Sequence, residues 1–228
     1  MLIHVHPVDP QPRQVASVAQ CLRDGGVIIY PTDTVYGFGC DIFDQKAVER
    51  ICRLKHIDPL KANLSFVCAD LSDLSRYARS ISTPVYRLIK SHIPGPFTFI
   101  LPASKEVPRI LKTKRNTIGL RVPDSRIAQS IIRELGHPIL SSSLPGDMVE
   151  EYTDPELIED RFGQQVDMVV DGGIGGMHYS TIVDLTGDEP VVTRQGAGEF
   201  RGASCCWPAD GAPCWSRPTI WRARQMVG

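Results

Sequence analysis

Strand-like and helix-like segments alternate along most of the chain. Residues 27–30 form a short apolar run of the kind found in buried strands, whereas residues 14–24 show the apolar spacing of a helix that ends at a glycine pair. This interleaving predicts the α/β fold class, with a single domain built on a twisted central sheet and flanking helices. The late strand-like segments at residues 166–170, 181–185 and 191–194 predict a sheet that mixes parallel and antiparallel strands.

The chain has 228 residues, which is enough for one domain with a buried core. We assign residues 1–200 to this domain. Residues 201–228 are atypical because they hold all three tryptophans with several cysteines, prolines and arginines, and show neither helical nor alternating spacing. We expect this tail to be disordered or peripheral. Its cysteines lack the spacing of structural zinc sites, so we predict no metal site.

Charge and hydropathy narrow the possible functions. The formal net charge of -1 excludes a grip on nucleic acid by the charge of the whole protein, although it leaves room for a local basic patch. No apolar run approaches membrane-spanning length, and residues 1–7 lack the zones of a signal peptide. We therefore expect a cytoplasmic protein with no membrane contact, whose scattered cysteines act as small buried hydrophobes.

The stretch Tyr30–Cys40 is the first candidate for a functional site. A proline, hydroxyl side chains and an acid follow the strand at residues 27–30 directly. Gly37 and Gly39 could let the backbone approach a ligand closely, and ligands of open α/β sheets bind outside the carboxyl ends of strands. The alternative is a plain turn in which Asp33 and its neighbours satisfy only local backbone groups.

The common nucleotide-binding and hydrolase signatures are absent from the sequence. There is no G-x-x-x-x-G-K-[ST] loop, no H-E-x-x-H and no G-x-S-x-G, and the glycines at 172–176 do not form a G-x-G-x-x-G motif at the start of a helix. If the chain binds a nucleotide, hydroxyls and cations gathered from several strands must hold it.

Two cations and a hydroxyl cluster are candidates for such binding. Lys55 follows a predicted helix, where it could either complement the helix dipole or neutralise a phosphate. Arg121 lies inside an apolar strand, so it needs a partner: Asp33 or Asp184 in an ion pair, or a substrate carboxylate. Residues 141–143 are three serines at a strand end, which could cap a turn or bind a ligand.

A basic run precedes the predicted strand at residues 117–122. Such a run is usually a solvated surface, but this one leads into the expected site and could contact RNA phosphates. The run cannot indicate sequence recognition. Its members are Arg109, Lys112, Lys114 and Arg115.

Six stretches in order resemble the YrdC/YciO family, which contains the threonylcarbamoyl-AMP synthases and their relatives. The likeness covers about residues 2–200. The stretches are Pro31–Gly37, Arg53–Lys55, Pro94–Phe99, Thr117–Pro123, Ser141–Ser143, and Ser180–Leu185 with Arg194–Gly198 after it.

The resemblance implies a YrdC-like fold with a concave ligand cleft. It also implies a nucleotidyltransferase that joins L-threonine, bicarbonate and ATP, usually with Mg²⁺, into threonylcarbamoyl-AMP and pyrophosphate for tRNA modification, where partner proteins could take part. It places Thr34, Arg121, Ser141 and Ser180 at threonine, and Lys55, Thr117, Ser143 and Arg194 around ATP. Lys55, Arg121 and Ser143 are the implied catalytic residues, and no general base is assigned.

The chain departs from the synthase pattern and resembles the YciO branch more closely. The family carries Lys-x-Arg where this chain has Lys55-His56-Ile57, and Ser-x-Asn where it has Ser143-Leu144-Pro145. Val67 stands near the place of a family histidine. His56 and Lys61 are candidates to replace the lost arginine. An alternative function is therefore a catalytically weak paralogue that binds RNA or a nucleotide.

Overall fold

The computed structural model describes residues 1–58, 64–108, 111, 116–145 and 152–201. The predicted tail from residue 202 onward lies outside these ranges, so the division of the chain near residue 200 stays a prediction. None of the helices in the described ranges is both long enough and apolar enough to cross a bilayer.

The helices form where apolar spacing, caps and breakers indicate. Asp44 caps the second helix by accepting from the Ala47 amide at 2.9 Å, and Gly136 ends the fifth in the left-handed conformation at φ 90°. The helices are α1 Pro12–Arg23, α2 Gln45–Leu54, α3 Leu71–Tyr77, α4 Thr83–Lys90, α5 Arg126–Leu135 and α6 Pro155–Phe162.

The described strands join in one ten-stranded sheet of order β1-β8-β2-β3-β7-β4-β6-β5-β9-β10. Four neighbouring pairs (β1–β8, β2–β8, β4–β6 and β5–β9) are parallel and the others are antiparallel, which confirms the predicted mixed sheet. The strands are β1 Leu2–His4, β2 Ile28–Tyr30, β3 Gly37–Asp41, β4 Ser65–Val67, β5 Phe97–Pro102, β6 Thr117–Arg121, β7 Ile139–Ser143, β8 Met168–Asp171, β9 Thr181–Asp184 and β10 Val191–Arg194.

The two faces of the sheet are covered to different extents. One face carries the larger core, in which residues such as Phe38, Phe66 and Leu120 pack against apolar residues of α2, α3, α4 and α6. On the opposite face, α1 and α5 build a second core with residues such as Tyr30 and Ile139, mainly over β8, β2, β3 and β7. The remainder of that face borders a cavity.

The two glycines of the Tyr30–Cys40 stretch have different structural roles, and only Gly37 lies where the prediction for both had placed them. Residues 37–41 form β3, paired antiparallel with β2, so the stretch folds back into the sheet. A Cβ on Gly39 would lie 2.8 Å from the Tyr30 ring, so this glycine is required by packing in the core. Gly37 does line the cavity, as expected for close approach to a ligand.

Candidate functional site

A cavity of about 510 Å³ lies on the part of the sheet face beside the α1–α5 layer. Its volume is in the range of small-molecule sites. The cavity lies on the face of the sheet, a different place from the strand ends that the sequence suggested. Alternate residues of five strands form its floor: Ser65 and Val67; Thr98 and Ile100; Thr117, Gly119 and Arg121; Ser141 and Ser143; Ile182 and Asp184.

Strand periodicity explains why this floor is polar. Neighbouring side chains in a strand point to opposite faces, so Thr117, Gly119 and Arg121 face the cavity while Ile118 and Leu120 enter the larger core. Gly119 also keeps the floor open, because a Cβ there would lie 3.2 Å from the Cβ of Ser65. Together the alternating positions produce a floor rich in hydroxyl groups.

Arg121 forms an ion pair with Asp33 inside the protein. Its Nη2 donates to Asp33 Oδ1 and, at 2.8 Å, to Thr34 Oγ1. Both charged side chains are 9% exposed, so each needs the other in place of water. The pairing is incomplete, because Arg121 Nε and Asp33 Oδ2 are buried without hydrogen-bond partners among the described residues. The sequence had left Asp33, Asp184 and a substrate carboxylate as alternatives: the structure shows Asp33 as the acidic partner, and a ligand contact of Arg121 stays a prediction.

Thr34 is held in a fixed position for this contact. Thr32 Oγ1 lies 3.0 Å from Thr34 Oγ1, accepts from the Thr34 amide at 3.1 Å, and donates to the Val35 carbonyl at 2.8 Å. The turn predicted from Tyr30–Cys40 thus satisfies local backbone groups and also orients a side chain at the cavity wall.

Lys55 reaches across the cavity wall to β7. Its Nζ donates to the Ser143 carbonyl and lies 3.4 Å from Ser143 Oγ. Burial lowers the pKa of Lys55 to about 8; the Cys52 thiol opposes this effect and the charge of Arg194 adds to it. Lys55 forms no ion pair with a carboxylate in the described part of the chain. No carboxylate of the described residues therefore neutralises its positive charge.

Arg194 is the third cation at the cavity. Its Nε and Nη2 donate to the Ser180 carbonyl at 3.0 and 2.9 Å, and its guanidinium carbon lies 5.2 Å from the centre of the Tyr179 ring. Burial, and to a smaller extent Arg121, lower its pKa, while Tyr179 opposes the shift. Beside the Arg121–Asp33 ion pair, Lys55 and Arg194 add two positive charges to the cavity, and Asp184 adds one negative charge to the described lining.

The structure brings together every residue that the resemblance places in the cleft. All of them line this one cavity: Thr34, Lys55, Thr117, Arg121, Ser141, Ser143, Ser180 and Arg194. Their individual roles stay predictions. The basic run expected at RNA lies outside the described residues: Arg109, Lys112, Lys114 and Arg115.

The sequence interpretation missed several wall residues that strand alternation would have identified. Thr98 is two residues before Ile100, Ser65 two before Val67, and Asp184 two after Ile182, all on the cavity face. Thr193 and Tyr179 complete this side of the wall. Among the described residues, no group of three or more His, Cys, Asp or Glu side chains comes together as a metal site.

Two positions that depart from the synthase pattern hold apolar residues, which lie in different places. Ile57 packs against the larger core and is not among the described residues that line the cavity. Val67 does line it, so an apolar surface stands near the place of the family histidine. His56 is exposed with φ 54° and is not among the described lining residues, whereas Lys61 lies outside the described ranges.

Comparisons with known proteins give a consistent family pattern. The Sua5_yciO_yrdC family model, described as "Telomere recombination", matches residues 20–196. The uncharacterized protein YciO of Escherichia coli K12 is 46% identical over 201 residues, which is 87% of this chain and 96% of the relative. A threonylcarbamoyl-AMP synthase of Vibrio vulnificus is 31% identical over 181 residues, 78% of this chain and 96% of the relative.

Two solved structures have the same fold as this chain. The crystal structure of E. coli YciO superposes with a TM-score of 0.81 at 45% identity, covering 87% of this chain and 97% of that one. The structure of P. abyssi Sua5 complexed with L-threonine has a TM-score of 0.77 at 29% identity, covering 86% of this chain and 57% of that one.

Asp33→Asn should lower the free energy of unfolding by about 3 kcal/mol, because it leaves a buried guanidinium without its counter-charge. The double variant Asp33→Asn/Arg121→Gln should recover much of that loss, since it removes both charges. Urea unfolding measures both, with the exposed Asp9→Asn as the matched control. Equal losses in the single and double variants would show that the charge pair is not the cause.

Proposed function

Because the chain belongs to the Sua5/YciO/YrdC family, we propose that it joins L-threonine, bicarbonate and ATP into threonylcarbamoyl-AMP and pyrophosphate. The observation that carries this proposal is the convergence of Lys55 and Arg194 on one hydroxyl-lined cavity. Neither cation forms an ion pair with a carboxylate in the described ranges, which suits a polyanionic ligand.

Lys55 and Arg194 bind the phosphate groups in this proposal. Lys55 supplies a single ammonium charge, and Arg194 supplies donors of its guanidinium on the side away from Ser180. Thr117 and Ser143 add hydroxyl groups to the same wall. Neutralising the charge that develops on the leaving pyrophosphate is the main contribution of these cations to the rate.

Threonine binds on the side of Arg121, Thr34 and Ser141. The P. abyssi Sua5 structure contains L-threonine, which makes this amino acid the first candidate for the second substrate. Asp33 neutralises part of the charge on Arg121, so this region attracts a single carboxylate less strongly than the Lys55–Arg194 region attracts a polyphosphate. The two substrates are thereby directed to different parts of one cavity.

The reaction needs correct placement more than a strong base. The threonine amine and bicarbonate form a carbamate with loss of water, and a carbamate oxygen then bonds to the α-phosphorus of ATP as the bond to pyrophosphate breaks. Holding the carbamate and the nucleotide in line in one cavity lowers the activation barrier, because the reacting atoms are already oriented. Mg²⁺ that enters with ATP would rely on phosphate oxygens and water, since Asp184 is the one carboxylate among the described lining residues.

A second candidate function is that of a weakly catalytic nucleotide-binding or RNA-binding protein. It is favoured by Ile57, whose side chain packs against the larger core where the synthase pattern has a phosphate-binding arginine. The identities of 46% to the uncharacterized YciO and 31% to the V. vulnificus synthase are compatible with it. Under the first function, the product would serve tRNA modification in the cytoplasm, where partner proteins could take part. Under the second function, RNA is a further proposed ligand.

Pyrophosphate release distinguishes the two functions. We expect release that requires ATP, L-threonine and bicarbonate together, measured by omitting each in turn. Lys55→Ala should lower kcat/KM about 100-fold, because it removes a charge that stabilises the leaving group. The matched control is Lys46→Ala, an exposed lysine of α2, the helix that Lys55 follows, which is not among the described residues lining the cavity. ATP binding without release in the wild type would favour the second function and exclude the first.

ATP affinity should fall about tenfold from pH 7 to pH 9. The pKa of Lys55 is lowered to about 8 in the free protein, so the ammonium is charged below that pH and lost above it, while bound phosphate favours the charged form. Cys52 and Arg194 are the titratable groups that affect Lys55. Lys55→Met should bind more weakly and with little pH dependence over the same range. A wild-type affinity that does not change with pH would rule out Lys55 as a phosphate ligand.

A further inference from the structure

The amine of Lys55 is held at the cavity wall by neutral groups. Its Nζ donates to the Ser143 carbonyl and lies 3.4 Å from Ser143 Oγ, at the end of β7. Lys55 lines the cavity, and no carboxylate of the described residues forms an ion pair with it. A small reagent that enters the cavity therefore meets an amine that is fixed in position and has no acidic partner in the described part of the chain.

The surroundings of this amine favour its neutral form more than water does. Burial is the main cause of the lowered pKa of Lys55, which is about 8; the charge of Arg194 lowers it further and Cys52 opposes the shift. At pH 8 about half of the Lys55 side chains are then neutral amines. The neutral amine carries the lone pair that makes a buried lysine a nucleophile.

The proposed reaction supplies an electrophile for this lone pair. Bicarbonate is in equilibrium with dissolved CO2, an uncharged molecule whose carbon reacts with neutral amines. The lone pair of Nζ forms a bond to that carbon, one C=O electron pair moves onto oxygen, and Nζ releases one proton to solvent. The balance is R–NH2 + CO2 → R–NH–COO⁻ + H⁺. The product is a carbamate with one negative charge, and the step needs no oxidant, reductant or nucleotide.

The cavity also contains groups that stabilise a carbamate at this position. The carbamate nitrogen keeps one N–H, which can still donate to the Ser143 carbonyl, while Ser143 Oγ can donate to a carbamate oxygen. The charge of Arg194, which disfavours an ammonium at Lys55, favours an anion there. Asp184, the one carboxylate of the described lining, lies on β9, four strand positions away from β7 in the sheet.

We propose that Lys55 is a site of reversible carbamylation, at which CO2 converts the cation into an anion and thereby lowers the affinity of the cavity for ATP. This inference rests on the proposed function, in which bicarbonate is a substrate and Lys55 binds phosphate. Modification and ATP compete for the same amine. A high ratio of CO2 to ATP therefore holds part of the protein in a form that does not bind the nucleotide.

The first test detects the carbamate directly. The wild type is equilibrated at pH 8 with isotopically labelled bicarbonate in the absence of ATP, and carbamates are trapped by ethylation with triethyloxonium and located by peptide mapping. We expect the label on the peptide that contains Lys55, its loss in Lys55→Met, and its retention in Lys46→Ala, which changes an exposed lysine of α2. The Met1 amine, 3.2 Å from Glu159 Oε1, is a second reactive amine and serves as the internal positive control.

The dependence on pH and on ATP identifies the reactive form of Lys55. At a fixed concentration of dissolved CO2, the initial rate of modification of Lys55 should rise about fivefold from pH 7 to pH 8, because the neutral fraction of an amine with a pKa of about 8 rises by that factor. Saturating ATP should suppress the label on Lys55 and leave the label on Met1, because an ammonium bound to phosphate has no lone pair.

The consequence for binding is measured by calorimetric titration of ATP at pH 8 with and without bicarbonate, at equal ionic strength. When trapping shows that half of Lys55 is modified, the apparent Kd for ATP should rise about twofold, since only the unmodified fraction is competent to bind. In the pyrophosphate assay, added bicarbonate beyond saturation should raise the KM for ATP and leave kcat unchanged. Lys55→Met should bind ATP with an affinity that does not depend on bicarbonate.

The outcomes separate this inference from the proposed function. Label on Met1 without label on Lys55 would overturn the inference and leave the proposed function intact. Label on Lys55 with an unchanged affinity for ATP would overturn the control of nucleotide binding. A wild type that carries the label on Lys55 but binds no ATP would contradict the proposed function while supporting the modification site. Because peptide mapping locates the label in the wild type itself, the test does not depend on the folding of a variant.

Discussion

The site depends on how far two helices extend across one face of the sheet. Helices α1 and α5 pack together and cover mainly β8, β2, β3 and β7, and the rest of that face borders the cavity. A strand alternates its side chains between faces, so the same strands place apolar residues in the larger core and polar residues in the cavity. Because α1 and α5 cover only part of this face, the polar side chains on the uncovered part are available to bind a ligand.

The distribution of charge within the cavity is as informative as its shape. Arg121 is buried with Asp33, so it contributes direction and hydrogen bonds but little net charge. Lys55 and Arg194 retain their charges, and burial of Lys55 makes its ammonium costly without an anion. A cavity in which Arg121 is paired with Asp33, while Lys55 and Arg194 have no carboxylate partner among the described residues, is suited to a ligand that is strongly anionic at one end and weakly charged at the other.

The fold class and the motif residues of the cavity could be predicted, because each depends on local pattern and ordered motifs. The interleaved periodicities gave the mixed sheet, and the motif residues Thr34, Arg121 and Arg194 do line one cavity. The partner of Arg121 could not be chosen, because Asp33 and Asp184 lie on different strands or loops whose order in the sheet is set by tertiary pairing. The contact between Thr98 and Ser180 was missed for the same reason, since the two residues are 82 positions apart.

The loss of the family arginine at position 57 has a physical consequence beyond a missing phosphate contact. Ile57 packs against the larger core two residues after Lys55, and burial with Arg194 already lowers the pKa of that lysine to about 8. A further guanidinium beside it, with no added carboxylate, would favour the neutral amine more strongly in the absence of ligand. The isoleucine adds no charge to the site, so Lys55 and Arg194 are the cations of the described lining that have no carboxylate partner among the described residues.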